Sequence, residues 1–159
     1  MDPVSKLLKD LLGTKGWITD DCLAWQRDWL DSYGESPLGV ARPKSTLEIQ
    51  DLMKICYKNN IPVVPQGGNT GLVGSGVLGS PGGIIISLSR MNKISSLDYS
   101  SATIVAEPGV VLENLHQYLK DTGLMFPMHL GSQGSAQIGG LIASNAGGSH
   151  AFRYGMMQD

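Results

Sequence analysis

Cysteine is scarce in this chain of 159 residues: Cys22 and Cys56 stand alone, with no CxxC pair. That excludes a disulfide framework and cysteine-rich metal knuckles, and it favours a reducing compartment. Long apolar runs are missing too. The longest, such as Ile84-Ile85-Ile86, have strand length rather than the ~20 residues of a membrane span, so no transmembrane segment is expected. Neither sign of charge dominates, with 12 basic and 14 acidic residues and a net charge of −2, so no nucleic-acid partner is expected. The opening MDPVSKLLKDLLGTKG has neither a secretory signal's apolar run nor the arginine-rich, acid-poor character of a transit peptide. A cytoplasmic location is the resulting expectation. His116, His129 and His150 fall in no HExxH or cysteine–histidine spacing, so no metal site is expected.

Glycine is what the chain has in excess: 21 residues, about 13% against roughly 7% in average proteins. The glycines cluster, and the segments between them read as regular elements. Residues 4–12 fit a short amphipathic helix, and Trp25 and Trp29 fall four apart on a second helical candidate over 20–30. Ser45 and Glu48 fit a capping box ahead of Ile49, Leu52, Met53 and Cys56. Strands are predicted over 61–64, 82–88 and 102–106. A helix with inner-face Leu112, Leu115 and Leu119 follows, capped by Gly123, and a short turn of helix is expected around Ile138, Leu141 and Ile142. This order predicts an α+β or α/β layered domain.

Two stretches carry the chemistry. Residues 65–76 turn out of a strand through Gly67 and Gly68, and residues 131–148 hold Gly131, Gly134, Gly139, Gly140, Gly147 and Gly148. Glycine costs backbone entropy, so such density needs a geometric reason: elaborate turns, or a ligand lying against bare backbone. Successive amides in such bends can hold phosphate oxygens without any cationic side chain. Neither GxxxxGKS/T nor a helix-opening GxGxxG is present. Two such loops in one small domain suggest opposing walls of a cleft. His129, beside the second loop, reads as a polar lining residue.

The ordered set VVPQGGNTGLVG, IIISLSRMNKI, VAEPGVVLENL, HLGSQGSAQIGGLIASNAGG and FRYG resembles the FAD-binding domain of the vanillyl-alcohol-oxidase-type (PCMH-type) flavoproteins. Within these it is most similar to the FAD-linked D-lactate, glycolate and D-2-hydroxyglutarate dehydrogenases. The resemblance implies an α+β fold with a small mixed sheet and flanking helices, made of a helical arm over 1–36 and an incomplete FAD-binding domain over 37–159. It implies that Pro65, Gln66, Gly67, Gly68, Asn69, Thr70 and Gly71 cradle the FAD pyrophosphate, and that Pro108 and Gly109 form a turn beside the cofactor. Gly131, Ser132, Gly134, Ser135, Ile138, Gly139 and Gly140 would run along the diphosphate and flavin, with Asn145, Gly147 and Gly148 near the ring. Some relatives attach FAD covalently through a histidine in the first loop; Asn69 stands there, so non-covalent FAD is expected. His129 occupies a position usually acidic in this branch. The resemblance also implies that the substrate domain, with its catalytic and metal-binding histidines, is not in this chain. No catalytic residue is therefore assigned, and a 2-hydroxy acid is expected as partner only if that domain is supplied. The alternative is an inactive or partner-dependent nucleotide-binding fragment. Oligomeric state stays open.

Overall fold

A computed structural model describes residues 3–158. The first two residues of the expected arm and the last residue of the expected FAD domain lie outside the described residues. The fold is mixed α+β and forms two compact units, Met1–Met91 and Asn92–Asp159.

The first unit contains α1 (Pro3–Leu12), β1 (Trp17–Ile18), α2 (Leu23–Gln26), β2 (Val40–Ala41), α3 (Thr46–Lys58), β3 (Val63–Gln66) and β4 (Ile84–Ser87). The sheet order is β1-β2-β4-β3, with β1 antiparallel to β2 and the other pairs parallel. All four residues of β4 are buried. Ile84 and Ile86 pack with Leu8, Leu12, Leu52 and Cys56, while Ile85 joins Val40 and Leu78 in a separate cluster. A strand covered on both faces reads as a continuous apolar run, which is why Ile84-Ile85-Ile86 needs no alternation. Residues expected to form an arm thus supply core: Leu8 of α1 is fully buried.

The capping box over α3 forms with a shift. Ser45 Oγ accepts the Glu48 amide at 3.2 Å, and the Glu48 carboxylate accepts the amide of Lys44 at 2.8 Å rather than that of Ser45. The helix expected over 20–30 is shorter, because Arg27 is extended and ends α2. Asp28 then accepts the amides of Ser32 and Tyr33 at 2.7 and 2.8 Å, a local alternative to helical bonding. Trp25 consequently packs inward and Trp29 stays 69% exposed.

The second unit contains β5 (Ile94–Asp98), β6 (Thr103–Ala106), α4 (Leu112–Leu119), α5 (Ile138–Ala143) and α6 (Ala151–Tyr154). β5 and β6 pair antiparallel. Leu112, Leu115 and Leu119 are buried as the periodicity requires, in a cluster with Val110, Met128, Ala136, Ile138 and Leu141. Gly123 is left-handed (φ 77°) but lies beyond the C-cap of α4, which is Lys120. The Thr122 hydroxyl, donating to the Leu119 carbonyl at 2.6 Å, closes that end instead.

Candidate functional site

The first glycine loop leaves the sheet from β3, an edge strand, where Pro65 removes no ladder bond that a neighbour needs. Parallel strands demand a long return path, and residues 67–83 supply it between β3 and β4 without a helix. Gly67, Gly68 and Thr70 are half-buried and Gly71 is exposed. Gln66 is 2% exposed, and its amide donates to the carbonyls of Trp25 at 2.9 Å and Gly76 at 2.8 Å. Asn69 sits at φ 52° with its amide donating to the Arg27 carbonyl at 2.6 Å. The side chains of Gln66 and Asn69 therefore bond to the protein itself.

In the second unit, the turn at Pro108-Gly109 is laced to the second glycine loop. Gly139 N–H donates to Pro108 O at 2.8 Å and Ile138 N–H to Val110 O at 2.9 Å. The free amides at the start of α4 are capped by the same loop, Leu112 to Ala136 O and Glu113 to Gln133 O, so Val111 needs no capping side chain. Gly109 and Ile138 are buried, the latter in the core cluster. Gly134 and Ser135 are exposed and Ser132 is half-buried. Asn145 is left-handed (φ 45°), and its side-chain Oδ1 accepts the backbone N–H of Gln158 at 3.1 Å.

The glycines of this loop divide by what a Cβ would meet. At Gly139 it would lie 2.7 Å from Pro108 Cβ, and at Gly148 2.7 Å from the His129 carbonyl oxygen. Their bareness is demanded by the chain's own packing. At Gly147 the obstacle is the thioether end of the Met156 side chain. At Gly131 and Gly140 nothing lies within 4 Å, and neither has a positive φ. Gly140 lies within α5, where glycine costs up to ~1 kcal/mol against alanine. Nothing among the described residues explains these two.

The Gln137 side chain and the mutual contact of the three histidines escaped the sequence reading. Gln137, 9% exposed at the start of α5, carries a buried Oε1 with no hydrogen-bond partner. The three histidines, far apart in sequence, cluster: ring centroids are 4.5 Å apart for His116 and His129, tilted by 30°, and 4.9 Å apart for His129 and His150, which meet edge-on at 73°. Burial, then the neighbouring His129, pushes the His116 imidazole below its ordinary value, and its Nε2 is buried without a partner. A pocket of about 520 Å³ opens beside His116, His129, Lys120 and Phe126, and no expected cofactor residue lines it. Among the described residues no group of histidine, cysteine and carboxylate side chains could hold a metal ion. No helix among them is long and apolar enough to cross a membrane.

Residues 37–159 match the FAD binding domain family. The mitochondrial D-2-hydroxyglutarate dehydrogenase of Arabidopsis thaliana is 39% identical over 94% of this chain and 27% of its own length. That of Bos taurus, also mitochondrial, is 40% identical over 82% and 24%. The chain spans between 24% and 33% of the length of the curated relatives it matches. Among solved structures, an alkyldihydroxyacetonephosphate synthase superposes with a TM-score of 0.86 at 21% identity, covering all of this chain and 33% of that one, which shows the shared fold.

The mitochondrial names of these relatives overturn the expectation of a cytoplasmic location. That expectation rested on the composition of the opening residues and on unpaired cysteines. Within that stretch Pro3–Leu12 fold as α1 with Leu8 and Leu12 buried, so its apolar positions serve the core. Unpaired cysteines suit any reducing compartment.

Proposed function

The chain belongs to the FAD binding domain family, and from that premise we propose that it binds FAD non-covalently as the cofactor-holding part of a flavin-dependent oxidoreductase acting on a D-2-hydroxy acid. The observation that carries the reading is the open backbone at Gly131 and Gly140, which the chain's own packing and dihedrals leave unexplained. A Cβ at either would enter the space that a ligand lying on the backbone needs.

The donor set fits this cofactor. Residues 65–71 and 131–140 offer uncharged amides and hydroxyls, suited to a pyrophosphate held by backbone. Gln137 Oε1, an acceptor, suits a ring N–H rather than a phosphate. Asn69 has no nucleophilic ring nitrogen, which supports non-covalent attachment. When bound, the flavin supplies the two-electron chemistry that no side chain provides. The substrate class rests on relatives named for D-2-hydroxyglutarate, and a mitochondrial setting on the plant and cattle names. The share of those relatives that the chain spans favours a second reading, a nucleotide-binding portion that needs a partner for activity.

The test is an absorbance spectrum of the purified chain after desalting, followed by titration with FAD. Flavin that co-purifies or binds saturably, and is released intact on acid precipitation, supports the reading. Folded protein that takes up no flavin sinks it, and flavin retained in the precipitate defeats non-covalent attachment.

A further inference from the structure

Within residues 67–77 the backbone makes one hydrogen bond to itself among the described residues, Val77 N–H to Gly74 O at 3.3 Å. A loop so poorly self-bonded should sample many shapes, yet a phosphate cradle requires its amides to converge. The missing constraint comes from residues 25–33. Gln66 fastens the loop's base to Trp25 O and to Gly76 O. Asn69 fastens its middle to Arg27 O. Gly74, left-handed at φ 68°, leaves no room for a Cβ because the Tyr33 ring would lie 2.8 Å away. The three attachments meet the loop at its start, middle and far side.

The segment that receives them is itself well held. Trp25 packs against the cluster of Val40, Leu78 and Ile85. Asp28, 5% exposed, accepts the amides of Ser32 and Tyr33, and its own N–H donates to Tyr33 O at 3.1 Å. Trp25, Arg27, Asp28, Ser32 and Tyr33 all precede residue 37, where the family match begins.

We propose that residues 25–33 are a clasp that fixes the shape of the first glycine loop before cofactor arrives, with Gln66 and Asn69 as positioning residues rather than direct FAD contacts. This rests on the FAD reading for its purpose, but the clasp acts on the loop in flavin-free protein. A loop competent only a fraction of the time weakens apparent affinity by that fraction. Loss of the clasp should therefore alter loop opening and FAD affinity together.

The test uses the full chain and Asn69→Gly, which keeps the left-handed backbone and deletes the bond to Arg27. Gln66→Met, which keeps volume and deletes both donors, is the second variant. Leu72→Gly adds the same backbone freedom to an exposed loop position without touching the clasp. Amide hydrogen exchange at Val77, the loop amide that holds a backbone hydrogen bond, is measured without flavin, then FAD affinity by fluorescence quenching.

The expected result for Asn69→Gly is exchange about tenfold faster and a Kd about tenfold higher, with Leu72→Gly unchanged in exchange. A weaker Kd with unaltered exchange would mean that Asn69 touches the cofactor directly and would overturn the proposal. So would faster exchange with an unaltered Kd, no change in either, or equal acceleration by Leu72→Gly. If the unmodified chain binds no FAD while Asn69→Gly still loosens the loop, the clasp stands and the cofactor reading fails.

Discussion

Gly139 and Pro108 are in direct backbone contact: the Gly139 amide donates to the Pro108 carbonyl at 2.8 Å, and a Cβ on Gly139 would lie 3.0 Å from that same oxygen. The contact joins the Pro108-Gly109 turn to α5, and neither partner can yield. Proline fixes φ, and Gly139 is held within a helix.

Gly139→Ala should therefore destabilise the fold by about 1–3 kcal/mol through overpacking, partly offset by the ~1 kcal/mol that alanine gains in a helix. Urea unfolding would measure it, and a variant as stable as the parent would show that the turn can move aside.

Gly140 is adjacent in the same helix and predicts the opposite. With nothing within 4 Å, Gly140→Ala should leave stability unchanged or raise it by up to ~1 kcal/mol. It should also weaken FAD binding about tenfold, or ~1.4 kcal/mol. Gly131→Ala should behave similarly in affinity. Undiminished affinity in both variants would remove the main support for cofactor lying on this backbone.

The histidine cluster predicts a pH dependence. His116 is held below its ordinary value of 6.5 by burial and by His129, against smaller opposing effects from hydrogen bonding with Met128 and Phe126 and from Glu113. A histidine whose native value is lowered binds fewer protons folded than unfolded. Its contribution is thus present above 6.5 and is lost as pH falls below 6.5 towards the lowered native value. The unit carrying α4 should loosen with mild acid, and His129→Asn should raise the His116 titration midpoint. Proton NMR of the imidazoles would measure the shift; an unchanged midpoint would show that the neighbouring ring is electrostatically silent.

Ile85 lies in the central strand and is fully buried opposite the face that packs on α1 and α3. Ile85→Ala should cost about 2–5 kcal/mol, and Ile85→Val about 0.5–1.5 kcal/mol. Thermal and denaturant unfolding of the two variants would establish the order.

The sequence by itself determined much of this protein. Period and composition placed α1, α3, α4 and β4, since an apolar stripe every three or four residues, or an unbroken apolar run, states which surface must leave water. The two glycine loops were legible for the same local reason, and their motifs carried the family. β5 escaped because Ser95 and Ser96 interrupt its apolar residues, and β1 and β2 because two-residue strands have no period. The helix expected over 20–30 ended early because Asp28 bonds to amides beyond it.

Only tertiary structure decided which glycines serve the fold. Gly139 faces Pro108 and Gly148 faces His129, whereas Gly131 and Gly140 face open space, and all four are the same letter in the sequence. It likewise turned Gln66 and Asn69 from loop residues into fasteners for a segment about forty residues earlier. It also brought His116, His129 and His150 into one cluster. These properties belong to pairs of distant residues. Local propensity records what a residue can do, while long-range contact decides which of those capacities remain free.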